Sequence, residues 1–336
     1  MKNEWGENPW PTIINCSNRL LSRPTKMLPK SKVAFACGST GSSGNGPEFQ
    51  AVVESWHMVL CENIFKQKVW VSDASAGAFR RHGGFDVPAL RLIEYIAATI
   101  PGGGVGIDIG ANIGNHTVVM AKFFARVVSF EPRLILEDTL KKNVDQNGLT
   151  NCTLVAAGLA DRAGTAPMYL DSAAEGGTTT FVPELAENFQ KSVEAPLYVG
   201  DDYLPTLKLE RIDVVKLDVE GMEASVVLGL AKTISAYQPI FLMEWNNDIT
   251  RRAFTQQRLF ETVFEGYSIA GIRGLDAREL YPKSIAGWAR RKLARLTRAS
   301  GFVAVRFERE KNFETLVLVP PKQVGNLSRL SAAQID

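Results

Sequence analysis

From residue 86 onward, short apolar runs alternate with segments whose apolar residues recur every three or four positions. Helical spacing over 85–100 (FDVPALRLIEYIAATI) predicts an amphipathic helix, and the short apolar runs predict buried strands. Six such strands are predicted at VGIDI, RVVSF, CTLVAA, DVVKLDV, PIFLMEW and YSIAGI. Helices are predicted between them over 115–124, 134–147, 221–231 and about 252–265, with further strands near 166–170 and 197–199.

The alternation of strands and helices predicts an α/β domain with a mostly parallel sheet that is covered on both faces. The final stretch, GFVAVRFEREKNFETLVLVP, contains two apolar runs that suit an antiparallel pair at a sheet edge. Ligands of such sheets bind beyond the carboxyl ends of the strands. Acidic or polar residues stand at five of these ends, namely Asp108–Gly114, Glu131, Ala157–Asp161, Asp218–Gly221 and Glu244–Asn247.

The first 85 residues are less regular. Residues 1–48 include the Gly- and Ser-rich run CGSTGSSGNGPE. This composition predicts a flexible or irregular arm, and a packed cap is the alternative. Residues 49–85 predict a small strand-rich cap, with a hairpin within 52–73. The α/β domain is expected over 86–320 with a basic insertion near 272–300, and residues 321–336 are expected to form a tail.

Composition narrows the classes of protein. A net charge of +2 gives no reason to expect nucleic-acid binding, and 45% hydrophobic with 22% charged residues is typical of a globular domain. The four cysteines are dispersed and form no CxxC pair, and the chain has three histidines. A zinc site is therefore not expected, and the thiols are expected to be reduced. No apolar run approaches membrane-spanning length and the N-terminus has no secretory signal, so the expected location is the cytoplasm.

The run GVGIDIGANIGNHT indicates an adenosine cofactor. A phosphate-binding P-loop is excluded, because Gly110 and Gly114 are too close together and no lysine follows before Lys122. The dinucleotide pattern GxGxxG is replaced by GxDxGxNxG starting at Gly106, and a carboxylate at Asp108 would repel a pyrophosphate. Asp108 suits a cationic ligand, and S-adenosylmethionine carries an ammonium and a sulfonium without phosphate. Gly110 and Gly114 are expected to permit tight turns and to leave room for the ligand.

Together, GIDIGANIGNHT, SFEP, GGTTT and DVVKLDVEGMEASVVLGL resemble the FkbM family of S-adenosylmethionine-dependent methyltransferases, over about Gly83 to Val319. The resemblance implies a Rossmann-like class I methyltransferase fold with a mostly parallel seven-stranded sheet and an antiparallel edge. It also implies O-methylation of a small molecule, sugar or natural-product scaffold. The cofactor residues that it implies are Gly106, Asp108, Gly110, Asn112 and Gly114 in the methionine-side loop, Glu131 at the ribose, Ala157 and Asp161 at the adenine, and Asp218 beside the methyl donor.

Methyl transfer to an alcohol benefits from a general base. The candidates are Asp218, Glu220 and Glu244, with His116 as a weaker one that caps the first helix or contacts the cofactor carboxylate. Glu220 has an alternative role as a helix cap. A second mechanism would place Mg²⁺ or Ca²⁺ on Asp218, Glu244 and Asn246 or Asn247, but the resemblance does not imply a metal, and none is expected.

The expected acceptor is a small molecule, and an anionic or a glycosylated molecule is the option that remains open. The hydroxyl groups of GGTTTF (176–181) are expected to help shape its pocket, with an ordinary turn and strand as the alternative. The basic run from Lys283 to Arg298 suits an anionic acceptor or peripheral membrane contact, although a solvated insertion is favoured. Rival functions are N-methylation of a protein or another acceptor, a silent cofactor-binding protein, and an NAD-dependent oxidoreductase. Nucleic acid is not expected as a partner.

Overall fold

The computed structural model describes residues 13–14, 34–35, 57–171, 179–189, 191–275 and 300–325. Most of the predicted N-terminal arm, the basic run Lys283–Arg298 and most of the C-terminal tail therefore lie outside the described residues. The predicted domain boundaries remain predictions.

The main sheet of the described residues has ten strands. In chain order its members are β1 (Ile13–Ile14), β2 (Ala34–Phe35), β5 (Val105–Ile109), β6 (Arg126–Phe130), β7 (Cys152–Val155), β12 (Val214–Leu217), β13 (Ile240–Trp245), β14 (Ser268–Leu275), β15 (Gly301–Arg306) and β16 (Phe313–Val319). Their spatial order is β1-β15-β14-β16-β13-β12-β5-β6-β7-β2. From β2 to β13 all neighbours are parallel, and from β13 to β1 all are antiparallel.

This topology confirms the predicted class, a mostly parallel α/β sheet with an antiparallel edge. Seven of the strands, in the order β7-β6-β5-β12-β13-β16-β14, form the predicted sheet, and β1, β2 and β15 extend it at its two edges. The two C-terminal apolar runs do not pair with each other as expected. Each pairs with β14, which lies between them, because β16 inserts between β13 and β14.

Helices cover both faces of the sheet. They are α1 (Asp73–His82), α2 (Val87–Ala97), α3 (Asn115–Phe123), α4 (Leu134–Gln146), α5 (Gly200–Tyr203), α6 (Glu223–Gly229), α7 (Ala231–Tyr237) and α8 (Asp248–Gln256). One apolar core contains residues of α2, α3 and α4, and the other contains residues of α6, α7 and α8. The predicted helix 221–231 corresponds to α6, which ends at Gly229, and a separate helix, α7, follows it directly. The helix expected near 252 begins earlier, because Asn247 caps it by accepting a hydrogen bond from the Thr250 amide at 2.8 Å.

Two smaller sheets flank the carboxyl ends of the parallel strands. The hairpin expected within 52–73 is present as β3 (Met58–Glu62) and β4 (Lys68–Ser72). Asn143 of α4 fastens it, since its amide group bonds both the N–H and the C=O of Trp70. The second sheet contains β8 (Gly158–Ala160), β9 (Gly164–Leu170), β10 (Thr179–Thr180) and β11 (Lys191–Val199), in the order β10-β9-β11-β8. None of the described helices combines the length and apolar character that a bilayer crossing requires.

Candidate active site

A cavity of about 320 Å³ opens at the carboxyl ends of β5, β6 and β12. The loops after these strands form its floor, and the hairpin and the second sheet contribute further lining residues. This is the edge at which the sequence predicts the ligand. Of the predicted residues, those that line it are Gly110, Asn112, His116, Glu131, Asp218 and Glu220.

The loop after β5 turns through two left-handed glycines. Gly110 has φ 77° and Gly114 has φ 88°, which confirms the expected tight turns. The lack of a side chain at these two positions was expected to leave room for the ligand, but it serves a different purpose. A Cβ on Gly110 would lie 1.8 Å from the Asp218 carbonyl oxygen, and one on Gly114 would lie 2.4 Å from Leu140 Cδ1. The glycines therefore admit neighbouring parts of the protein, and Gly114 does not reach the cavity.

Asp108 lies beneath this loop and not at the cavity wall. It is fully buried inside β5, where its Oδ2 accepts a hydrogen bond from Thr117 Oγ1 at 2.6 Å. Its other oxygen lies 3.7 Å from Lys216 Nζ. The sequence assigns this carboxylate to a cationic ligand, but the cation beside it is a lysine of the adjacent strand, which the β5–β12 register places directly opposite.

Lys216 is the buried cation of the site and a residue that the sequence analysis missed. Its ammonium lies 3.1 Å from Asp218 Oδ2 and donates to the Gly110 carbonyl at 3.2 Å. Burial alone would lower the pKa of Lys216, but Asp218 and Asp108 together raise it above its ordinary value. The lysine therefore stays charged and ties the ends of β5 and β12 together. A lysine inside the apolar run DVVKLDV was the available signal.

Glu131 follows β6 and faces the cavity with a fixed carboxylate. Its Oε2 accepts from the Asn112 amide at 2.7 Å, and its Oε1 accepts from the Arg133 amide at 2.9 Å. Burial raises the pKa of Glu131 to about 7, against the opposing effect of these two N–H groups. Each oxygen keeps a second lone pair, so the carboxylate can still accept from a ligand hydroxyl.

Three carboxylates meet where β12 and β13 end. Asp218, Glu220 and Glu244 each place an oxygen within 4.8 Å of the other two. Burial, with Asp218 and Glu223 nearby, raises the pKa of Glu220 to about 7. Burial and the same neighbouring negative charges raise the pKa of Glu244 well above its ordinary value. Like charges at this distance favour shared protons, so the cluster can accept and release a proton near neutral pH.

The backbone of Glu220 lies in the left-handed region, with φ 51°, and Gly221 follows with φ 102°. Glu223 stabilises this turn from inside the protein, where its carboxylate accepts from the amides of Val219 and Gly221 at 3.1 Å each. The Thr250 hydroxyl donates to the same carboxylate. Glu223 is thus the buried acid at the start of α6. The alternative role of Glu220 as a helix cap is therefore taken by Glu223.

The opposite end of the cavity carries unpaired polar atoms. Asn115 and His116 are 5% and 8% exposed, and both Asn115 Oδ1 and His116 Nε2 are buried without a hydrogen-bond partner. The Nδ2 of Asn115 already donates to the Phe85 carbonyl. Asp86 Oδ2 lies 3.6 Å from His116 Nε2, and His116 holds the pKa of Asp86 below its usual range although burial opposes this shift. Within the described residues Asn115 Oδ1 is therefore left to bond a ligand, and His116 Nε2 can do so beside Asp86.

Four other predicted cofactor residues do not line the cavity. Gly106 lies inside β5, where a Cβ would meet Met120 Cε at 2.5 Å. Ala157 is buried, and its neighbours Gly158 and Leu159 take the position at the wall. Asp161 bonds Ser225 Oγ at 2.6 Å instead, because β8 leads the chain away from the site. The fourth, Gly114, is described above.

The set of oxygen atoms that could hold a divalent cation differs from the predicted one. The close group is Asp218, Glu220 and Glu244. Asn246 instead donates to Glu244 Oε1 at 2.6 Å, and Asn247 is occupied as the cap of α8. The asparagines are therefore used within the protein, and Glu220 takes the third place.

Comparison with known proteins identifies the domain that contains these residues. Residues 108–269 match the model of the methyltransferase FkbM domain. This segment of the chain is therefore similar to FkbM methyltransferase domains. The matched segment includes the loop after β5, Glu131, the acidic cluster and β13, and so it contains most of the cavity floor.

Two curated relatives are similar to part of this chain. The methyltransferase sdnD of Sordaria araneosa is 30% identical over 40% of this chain and 64% of its own length. The hexuronic acid methyltransferase AglP of Haloferax volcanii is 29% identical over 38% of this chain and 51% of its own length. The chain thus spans between half and two thirds of these relatives. Among solved structures, a methyltransferase FkbM from Methylobacillus flagellatus is 15% identical with a TM-score of 0.39, covering 81% of this chain and 58% of that one.

Proposed function

We propose that this protein is an S-adenosylmethionine-dependent methyltransferase that methylates a hydroxyl oxygen of a small molecule or sugar. The observation that carries the proposal is the cluster of Asp218, Glu220 and Glu244, because two of its members, Asp218 and Glu220, line a cavity whose floor lies in the segment that matches the FkbM model. Such a cluster can take up a proton beside a cationic methyl donor. The curated relatives, which are named as methyltransferases, support the same activity.

The residues at the cavity fit S-adenosylmethionine. Glu131 has a lone pair free on each oxygen for the two ribose hydroxyls, and its carboxylate is held rigidly by two amides. The unpaired Asn115 Oδ1 and His116 Nε2 suit the amino-acid end of the cofactor, which offers both donors and acceptors. When bound, this cofactor supplies an activated methyl group on a sulfonium.

The side chains of the cavity do not favour a phosphate-rich cofactor. Lys216 is the one lysine or arginine among its described lining residues, and its ammonium is already paired with Asp218. A pyrophosphate would therefore meet Asp218, Glu220 and Glu131 without a free cation. This arrangement supports the sulfonium cofactor over NAD.

Glu220 is the general base of this proposal. It faces the cavity, and its pKa of about 7 lets the carboxylate accept the proton that an acceptor hydroxyl loses. Asp218 is held by its ion pair with Lys216 and lines the cavity, so it is placed to orient the reacting groups. Glu244 neighbours Glu220 without lining the cavity, so it is not assigned a direct contact with the acceptor.

A sugar-like acceptor is supported by the hexuronic acid methyltransferase among the relatives. The test is a screen of neutral sugars, uronic acids and hydroxylated natural products with donor labelled in the methyl group, followed by mass spectrometry of the product. We expect a methyl ether on a hydroxyl oxygen. Methylation at nitrogen would contradict the acceptor atom, and cofactor binding without any product in a broad screen would favour a silent binding protein.

A further inference from the structure

Thr180 connects the second sheet to the loop of the acidic cluster. It belongs to β10, which pairs with β9, and its side chain is 1% exposed. Its hydroxyl donates to the Glu220 carbonyl at 2.7 Å and accepts from the Val182 amide at 3.0 Å. Both hydrogen-bonding functions of the hydroxyl are therefore used, and one of them ends on the backbone of the residue that we assign as the base.

The contact falls on a backbone that needs support from its surroundings. Glu220 is a non-glycine residue in the left-handed region, which persists only where neighbouring contacts determine it. Glu223 holds the amides of Val219 and Gly221 on one side of the turn. On the other side the Glu220 carbonyl is bonded by Thr180. The turn is thus fixed from two directions by side chains that are distant in sequence.

We propose that Thr180 is a positioning residue for Glu220, because its hydroxyl holds the backbone turn that directs the Glu220 carboxylate to the cavity. The catalytic part of this inference rests on the proposed function, whereas the anchoring of the turn does not. Among the hydroxyls of GGTTTF that were expected to shape the acceptor pocket, Thr180 is therefore an exception, and residues 176–178 of this run lie outside the described residues. The Thr180 hydroxyl points into the protein, and its neighbours Thr179 and Phe181 line the cavity.

The arrangement has a consequence for the acceptor. Thr179 and Phe181 precede and follow Thr180 in the chain, and both line the cavity. An acceptor that packs against them therefore contacts the same short segment whose Thr180 hydroxyl bonds the Glu220 carbonyl. The wall and the base are thereby joined by one hydrogen bond. Loss of that bond should affect turnover more than cofactor affinity, since the ribose and amino-acid ends of the cavity lie on other elements.

The test compares Thr180→Val, which keeps the shape without the hydroxyl, with Thr180→Ser, which keeps the hydroxyl. We expect Thr180→Val to lower kcat about tenfold, as expected for one lost hydrogen bond, with the cofactor KM changed less than about twofold. Thr180→Ser should retain kcat within about threefold. In a Glu220→Gln background, Thr180→Val should cause little further loss, because the two residues act as a unit. An equal loss in both backgrounds would overturn the proposal.

A second readout is independent of catalysis. Amide hydrogen exchange at residues 219–221 should be faster in Thr180→Val than in wild type or Thr180→Ser, since the turn loses one of its two anchors. Equal exchange in all three proteins would overturn the anchoring. If wild type methylates nothing but exchange responds as expected, the proposed function fails while the anchoring role stands. Should Thr180→Val fold poorly, Thr180→Cys replaces it, since its thiol is a weaker donor of similar size.

Discussion

The ammonium of Lys216 lies 3.1 Å from the carboxylate of Asp218, two residues further along the chain. The lysine is 5% exposed, so this pair forms away from bulk water at the foot of the cavity. The same ammonium also donates to the Gly110 carbonyl. One buried cation thus sets the positions of the glycine loop and of the strand end that carries the acidic cluster.

Removal of this cation should destabilise the fold. Lys216→Met leaves Asp108 and Asp218 without their buried partner, and the free energy of unfolding should fall by about 3–5 kcal/mol in urea denaturation at pH 7. Lys232→Met, at an exposed lysine, is the matched control and should change it by less than about 0.5 kcal/mol. Equal stability of the two variants would show that the ion pairs contribute nothing to the fold.

Asp108 should affect stability more than cofactor affinity. Asp108→Asn weakens the contacts with Thr117 and Lys216, and we expect a loss of about 1.5–3 kcal/mol in the free energy of unfolding. Because Asp108 does not line the cavity, the Kd for S-adenosylmethionine should change by less than about tenfold, or 1.4 kcal/mol. Asp202→Asn, at an exposed position, is the control. If Asp108→Asn lost S-adenosylmethionine binding while its free energy of unfolding stayed unchanged, Asp108 would contact the ligand directly, as the motif alone indicates.

Glu220 should control the pH dependence of turnover. A base acts in its deprotonated form, so kcat/KM for the acceptor should fall about tenfold per pH unit below about 7 and level off above it. Glu220→Gln should lower kcat about 100-fold or more and remove this acidic limb. Glu187→Gln, at an exposed glutamate, should leave both unchanged. A profile that keeps its acidic limb in Glu220→Gln would assign the base to another residue.

Glu131 should make cofactor affinity depend on pH. Burial raises the pKa of Glu131 to about 7, and the deprotonated carboxylate is the form that accepts two ribose hydroxyls. The contribution of Glu131 should therefore make binding about tenfold tighter at pH 8 than at pH 6 in calorimetric titrations. Glu131→Gln isolates this contribution, since the cofactor's own α-amino group titrates equally with both proteins. The same pH dependence in both proteins would exclude Glu131 as the ribose partner.

Periodicity in the sequence predicted the parallel strands and most helices, because buried strands and amphipathic helices each leave a clear pattern. It could not predict that β16 inserts between β13 and β14, since an apolar run shows burial but not the neighbouring strand. The two-residue strands β1 and β2 are too short to show any period.

The sequence predicted which strand ends form the candidate site, but it did not predict the partners of the side chains there. Glu131, Asp218 and Glu220 reach the cavity because each follows a parallel strand that ends at the same edge. Asp108 precedes the end of its strand, and its partner Lys216 is set by the register between β5 and β12. Register between distant strands is a tertiary property, and a single motif does not contain it.

The most direct test of the proposed function is a calorimetric titration of the purified protein with S-adenosylmethionine and, separately, with NAD. The fixed carboxylate of Glu131, the unpaired atoms of Asn115 and His116, and the paired state of Lys216 predict binding of S-adenosylmethionine and none of NAD. Binding of NAD without binding of S-adenosylmethionine would contradict the proposed methyltransferase activity.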